Sequence, residues 1–495
     1  MMYGEEKSDS LIVAANLANN PQGAESVERR SGAKGNAEQP HMRRTQSRES
    51  MSQRLSRVRE AAKQRKKERF TALFHLLTAE ALENAFLSLS RKAAAGVDGV
   101  RWKDYAENLK VNIADLHRRL HQGSYRAQPG RRHYIPKADG KQRPLGIASL
   151  EDKIVQYALV KILNAVYEND FMGFSYGFRP GRSQHNALDA LATGLVRTNV
   201  NWVLDADISQ FFDKVSHEWL IRFIEHRIGD QRVIRLIRKW LTAGTSEEGE
   251  WRASEEGTPQ GAVISPLLAN IYLHYVFDLW AHQWRRRHAT GNVVMVRYAD
   301  DIVIGFDKRI DAQCFRIAMQ RRLKEFGLTV HPKKTRLTEF GRFAAENRAS
   351  RGKGKPETFN FLGFTHISGK DRSGRFMLIR KTRRGRMTAT LKAIKDGLRK
   401  RWHYSIPEQG KWLRRVVQGY LNYHSVPGNY PMMRKFRIYV TDLWRRALRR
   451  RSQQDDTTWT KANRLAAVWL PKVRVLHPWP VERFTARHPR QEPGA

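Results

Sequence analysis

The chain has 495 residues, and its 90 Lys and Arg outnumber its 49 Asp and Glu to leave a formal net charge of +41. Such an excess exceeds what solubility requires and points to a polyanionic partner, nucleic acid first. A single cysteine, Cys314, excludes internal disulfides and CxxC zinc sites, and the absence of HExxH and GxxxxGK[ST] leaves zincin and P-loop ATPase chemistry without support. No apolar run approaches the length of a membrane span and the amino terminus has no signal-peptide pattern, which predicts a soluble intracellular protein.

Residues 1 to about 50 are rich in Ser, Asn, Gly, Glu and Arg and almost free of aromatics. So little apolar surface cannot offset the entropy of ordering, so a disordered basic leader is predicted over 1–55. Residues 56–110 read as a helical extension. "SQRLSRVREAAKQRKKERFTALFHLL" and "TAEALENAFLSLSRK" have helical composition, and "AAAGVDGV" ends them with Gly96 and Gly99.

Over 111–370 strands and helices mix. "WVLDADISQFF" and "NVVMVRYADDIVIGF" are β-branched, while "EWLIRFIEHRI" and "RVIRLIRKWL" repeat apolar residues at helical spacing. This irregular alternation predicts an α+β domain rather than a regular parallel sheet. Cys314, in "DAQCFRIAMQ", reads as a buried helix residue, and "NRASRGKGKPE" as a basic loop. Over 371–480 the chain turns helical and basic, with Leu391, Ile394, Leu398 and Trp402 on one face and Arg399, Lys400 and Arg401 beside it. "DLWRRALRRRSQ" likewise sets Trp444, Ala447 and Leu448 next to Arg445, Arg446 and Arg449. Helices that bury one stripe and coat the rest in Arg suit an RNA-facing surface; a merely solvated basic face is the plainer alternative. Residues 481–495 form a tail.

Two adjacent carboxylates, Asp300 and Asp301, interrupt the apolar stretch "VRYADDIVIGF" where a strand, tight turn and strand are predicted. Alone, the pair reads as a turn. A second acidic strand end changes that: in "VLDADISQFFD", Asp205 and Asp207 fall on one strand face. With Asp207 beside Asp300, the carboxylates would suit hard divalent ions such as Mg²⁺. Two such ions about 4 Å apart would activate a 3′-hydroxyl and stabilise a leaving pyrophosphate.

"YADD" (298–301) resembles the reverse transcriptase signature, and "DISQFFD" (207–213) is similar to that family's first catalytic strand. "IPKADGKQRPLGIASLEDKIVQ" (135–156), "SYGFRPGRSQHNAL" (175–188), "GTPQGAVISPLLANIYL" (257–273), "GLTVHPKKTRL" (327–337) and "FNFLGF" (359–364) resemble its further blocks, in order. "AAAGVDGV" resembles the amino-terminal extension of group II intron and non-LTR-retrotransposon enzymes. "VVQGYLNYHSVPGNY" with "LWRRALRRRS" resembles the maturase domain of group II intron proteins. The resemblance covers roughly residues 60 to 480. It implies a right-hand polymerase fold of fingers and palm (111–370), followed by an α-helical thumb/maturase domain (371–480).

The resemblance implies a metal-site set of Asp207, Ile208, Asp300 and Asp301, with the three aspartates catalytic and two Mg²⁺ bound, Mn²⁺ being the substitute. Asp205 and Asp213 are not metal ligands by position and read as strand-edge or cap residues. Phe212 takes the position of the steric gate that favours dNTPs, and one of Phe211 and Phe212 is expected in the core. Gln260 and Gly261 resemble the nucleotide-pocket lining, Lys137 and Arg143 the triphosphate-binding pair, and Lys334 a lysine that protonates pyrophosphate, with the neighbouring Lys333 as the alternative. Tyr420, Tyr423 and Tyr430 are candidates for stacking on RNA or for helix packing. The implied partners are intron RNA, an RNA template, a DNA primer or target and dNTPs, with a homodimer left open and no membrane. The implied setting is the bacterial cytoplasm, at the nucleoid or in a ribonucleoprotein.

Many group II intron proteins continue into an HNH-type endonuclease with paired cysteines; that domain is not expected here. The resemblance thus implies an RNA-directed DNA polymerase that assists splicing of its intron and copies RNA into cDNA during intron mobility. A splicing maturase with little polymerase use, or a domesticated reverse transcriptase of another element, stand as alternatives.

Overall fold

The structure is a computed structural model that describes residues 50–136, 142–247, 249–451 and 457–487. The expected leader therefore lies almost wholly outside the described residues, as does Lys137. Among the described residues, the strands are β1 (Gly130–Pro136), β2 (Gln142–Ile147), β3 (Trp202–Asp207), β4 (Thr245–Glu247), β5 (Glu250–Arg252) and β6 (Val293–Tyr298). They continue with β7 (Asp301–Phe306), β8 (Arg336–Glu339), β9 (Phe359–Phe361), β10 (Phe364–Lys370) and β11 (Phe376–Thr382). No helix is long and apolar enough to cross a membrane among the described residues.

The central sheet has the order β6-β7-β3-β8, antiparallel throughout. Its β-branched runs are buried on both faces because alternate side chains feed different cores. Leu204, Ala206, Met295, Ile302 and Ile304 enter the large core built with the helices Leu150–Tyr167, His217–Arg227, Gln231–Thr242 and Ser265–Leu273. Val203, Val294, Val296 and Val303 enter a second core with the helix Gln184–Arg197, the β9–β10 hairpin and Phe484. The other strands form a second sheet, β2-β1-β4-β5, and a third, β11-β10-β9.

From Arg384 onward the chain is helical, with a core of its own built from Ile394, Leu398, Leu413, Val417, Phe436, Val440, Trp444 and Leu448. The helix Arg384–Arg399 buries Ile394 and Leu398 as expected but ends before Trp402. The last described helix, Pro480–Arg487, returns to the sheet region: Arg483 pairs with Asp189, and Arg197 donates to Thr485 Oγ1 at 3.2 Å.

The helix Met51–Gln64 starts ahead of the expected boundary at 55, because Ser50 and Gln53 form a reciprocal capping box. The expected boundary at 370 falls inside the β10–β11 hairpin, whose register pairs Lys370 with Phe376. Cys314 is exposed, contrary to the sequence reading. In the helix Arg309–Glu325 the buried face is Asp311, Ala312, Phe315, Met319 and Leu323, and Cys314 lies to one side of it.

Candidate active site

Asp207 ends β3 and pairs directly across from Asp301, the first residue of β7. Paired residues share a sheet face, so Asp205, Asp207 and Asp301 stand on the same side as Val203 and Val303. Tyr298 pairs with Asp301, leaving Ala299 and Asp300 as a two-residue turn in which Ala299 takes a left-handed φ of 56°. The sheet thus brings three aspartates of the expected site to one strand end. Ile208 follows immediately, buried and bridged to Val330. The rest of "DISQFFD" is not strand: Gln210 is left-handed at φ 47° and Phe211–Asp213 is a 3₁₀ turn.

The electrostatics are those of crowded acids. Burial first, then Asp301 and Asp207, pushes Asp205 up to about 7. Burial, then Asp300 and Asp207, pushes Asp301 up to about 7 as well. Burial also raises Asp300, with Arg143 and Lys334 opposing. Asp205, read from sequence as a strand-edge residue, is thus electrostatically part of the cluster. Lys334 Nζ lies 2.6 Å from Asp207 Oδ2 and supplies positive charge there. Among the described residues no three His, Cys, Asp or Glu side chains already converge as a metal-holding group. The donor set is nonetheless the one a hard divalent cation takes: carboxylates whose mutual repulsion a cation would relieve.

The turn is held from beneath by a residue that sequence reading passed over. Arg297 is fully buried and forms a bidentate pair with Asp278, Nε to Oδ1 at 2.7 Å and Nη2 to Oδ2 at 2.6 Å. It also donates to Ala299 O at 3.0 Å, Asn270 Oδ1 at 3.1 Å and Ser175 Oγ at 2.7 Å. Gly177 completes the seat, because a Cβ there would lie 2.3 Å from Ala299 N. The signal was in the sequence: one Arg inside the apolar strand "VVMVRY" requires a buried acid.

Phe211 is core and Phe212 half-buried, as expected for one of the two. Phe212 faces Phe178, ring centres 6.5 Å apart, and Phe178 in turn faces Tyr298 at 6.4 Å. Phe178, not singled out from sequence, is half exposed in a left-handed conformation (φ 58°). Such a costly backbone in a bulky residue is kept only where the surroundings impose it. Gln260 Nε2 donates to Asp213 Oδ1 at 2.8 Å, and Gly261 (φ 111°) lies against β2, where a Cβ would be 3.1 Å from Gly146 O. Arg143, exposed on β2, is close enough to act on Asp300.

The basic residues of the helical region divide. Arg399, Lys400, Arg446 and Arg449 are exposed, Arg446 pairing with Asp442 at 2.7 Å. Arg401 lies over the Trp412 ring at 4.5 Å, and Arg445 over Trp459 at 4.8 Å while paired with Asp442. These two are engaged in packing, so their side chains are not free surface charges. Tyr420 is buried against Phe436, with ring centres 3.6 Å apart, and Tyr423 donates to Leu362 O at 2.7 Å; Tyr430 is exposed.

Residues 135–366 match the family model described as reverse transcriptase (RNA-dependent DNA polymerase). The chain therefore carries a reverse transcriptase domain, and the right-hand polymerase fold follows from it. Over 206 residues it is 43% identical to Protein YkfC of Escherichia coli (strain K12), covering 41% of this chain and 54% of that protein. Over 223 residues it is 37% identical to the group II intron-encoded protein LtrA of Lactococcus lactis subsp. cremoris, covering 44% of this chain and 37% of that protein. Over 110 residues it is 29% identical to nuclear intron maturase 2, mitochondrial, of Arabidopsis thaliana, covering 21% of this chain and 15% of that protein. The chain thus spans about half or less of these relatives, two of which are named as a group II intron-encoded protein and an intron maturase.

Proposed function

We propose that the protein is an RNA-directed DNA polymerase of a group II intron, which binds its intron RNA to assist splicing and copies RNA into cDNA during intron mobility. The observation that carries the reading is the meeting of Asp207, Asp300 and Asp301 at one end of the central sheet. Asp207, the Ile208 carbonyl, Asp300 and Asp301 would hold divalent metal, Mg²⁺ or Mn²⁺, which when bound lowers the pKa of the primer 3′-hydroxyl and offsets charge on the phosphates.

The chain's own groups do the rest. Arg143, with Lys137, binds the triphosphate, where a planar fork of donors matches phosphate oxygens. Phe212, seated against Phe178, crowds a 2′-hydroxyl and so favours dNTPs. Gln260 and Gly261 line the nucleotide pocket. Lys334 screens Asp207 and, once released from it, lies in place to protonate the leaving pyrophosphate. On this reading 111–370 is fingers and palm, and 371–480 a thumb/maturase region that presents Arg399, Lys400, Arg446 and Arg449 to RNA. Its setting is the bacterial cytoplasm.

Primer extension on an RNA template with dNTPs and Mg²⁺ tests the site. Asp300→Asn should lower the rate at least about a thousandfold, since a transition-state contact is lost. Its affinity for the same RNA, measured by filter binding, should stay within about twofold, because phosphate contacts elsewhere dominate affinity. Normal extension by the variant would sink the assignment.

A further inference from the structure

We propose that a cavity between the helix Ile406–His424 and the segment 471–476 binds one unstacked nucleotide of single-stranded RNA. The phosphate would be held by Arg414, Lys472 and Arg474, and the base set against Leu421, Pro471 and Leu476. The inference rests on the reading that the helical region binds RNA, and names a site within it separate from the arginines already considered.

The cavity has a volume of about 400 Å³, within the range of ligand pockets. Its walls are fixed. The backbone N–H groups of Leu476 and His477 both donate to Ser425 O, at 3.0 and 3.2 Å. Arg437 Nε donates to Pro471 O at 3.1 Å, and His477 Nε2 lies 2.7 Å from Asn422 O. A preformed cavity spares the ligand the cost of ordering a loop.

The charge is what identifies the ligand. Arg445 and Arg446 share Asp442, Arg483 holds Asp189 and Arg437 holds backbone carbonyls. Arg414, Lys472 and Arg474 face the cavity, and among the described residues none of them has an ion pair or a side-chain hydrogen bond. Three like charges converging on one space repel until an anion enters, and forked guanidinium donors match phosphate oxygens. Leu476 is half exposed and Leu421 forms the floor. An apolar wall beside a cationic one is what a splayed base and its phosphate require. Gln418, which also lines the cavity, donates through Nε2 to Asn422 Oδ1 at 2.7 Å. Its Oε1 is left as an acceptor, which a ribose 2′-hydroxyl can satisfy and a deoxyribose cannot.

The test uses the full chain and a short single-stranded RNA carrying one 2-aminopurine, with the DNA of the same sequence alongside. The variant Arg414→Ala/Lys472→Ala/Arg474→Ala is compared with a charge-matched control, Arg235→Ala/Arg321→Ala/Lys324→Ala, which removes exposed cations from other helices. The cavity variant should bind RNA about tenfold more weakly than the control, with a salt slope shallower by about two. It should also lose the fluorescence rise that reports an unstacked 2-aminopurine. RNA affinity equal to the control's would overturn the cavity while leaving the RNA-binding reading intact. DNA bound as tightly as RNA, with the same loss in the variant, would overturn the assignment to RNA. Failure of the unmodified protein to bind the RNA at all would overturn both readings.

Discussion

Arg297 has no contact with the face that carries the carboxylates, yet its guanidinium decides where their turn sits. A buried arginine opposite a single acid is a pair that fails badly when one partner is removed, at a cost of about 3–5 kcal/mol. Removing both charges together is milder, so Arg297→Met/Asp278→Leu should still fold, with Asn270 Oδ1 and Ser175 Oγ left without their donor at about 1–3 kcal/mol each. What the double variant lacks are the hydrogen bonds to Ala299 O, which holds the turn, and to Asn270 Oδ1 and Ser175 Oγ beneath it. Because small misplacements at a reacting centre are expensive, kcat for dNTP incorporation should fall by about tenfold to a hundredfold while KM changes little. A KM effect as large as the kcat effect would instead mean that the nucleotide pocket had collapsed, and would remove Arg297 as a positioning residue.

At the scale of elements, the β9–β10 hairpin links the sheet region to the helices that follow. Its turn places Leu362 (φ 45°) and Gly363 (φ 82°) both in the left-handed region, as a tight two-residue hairpin demands. Tyr423 secures Leu362 from the helix behind. On β10, His366 is fully buried and stacks on Phe359 with ring centres 4.7 Å apart. Burial first, then Arg380, holds its pKa down at about 3. In the unfolded chain a histidine takes up a proton near pH 6.5. The stability this neutral ring contributes is therefore complete above that pH, and is lost as the pH falls from about 6.5 towards about 3. Replacing it by Phe removes the titration. His366→Phe should gain stability relative to the parent on going from pH 7 to pH 5, by up to about 2 kcal/mol from one proton. Urea titrations at the two pH values measure this; parallel losses in both proteins would exclude His366 as a source of acid sensitivity.

Across the whole molecule, the segment that closes the proposed nucleotide cavity continues into the helix Pro480–Arg487, which docks Phe484 into the core behind the central sheet. That return ties the helical region to the domain that carries the carboxylates. Phe484→Ala should cost about 3–5 kcal/mol locally. The helical core built from Leu413, Phe436 and Trp444 does not include Phe484, so it should survive. Limited proteolysis should then cut within 471–487 well before any other site, as expected when one cooperative unit opens ahead of the rest. Uniform degradation would show that the return is not a separate unit.

Much of the site was legible in the residues themselves. Alternation put Asp205 and Asp207 on one face, the β-branched runs around "YADD" announced a hairpin, and the ordered blocks carried the resemblance to reverse transcriptases. The helical stripe through Ile394 and Leu398 was equally readable, because periodicity is a local property of the chain. What depended on tertiary structure is pairwise and long-range. The register that sets Asp207 opposite Asp301, the choice of Asp278 to neutralise Arg297, and the exposure of Cys314 follow from which faces pack together. Likewise, every arginine of the helical region looks alike in sequence. Only packing separates Arg401 and Arg445, held over tryptophan rings, from Arg414 and Arg474, left facing an open cavity. Charge is a property of composition, but whether a charge is available depends on its neighbours, and those are assigned by the fold.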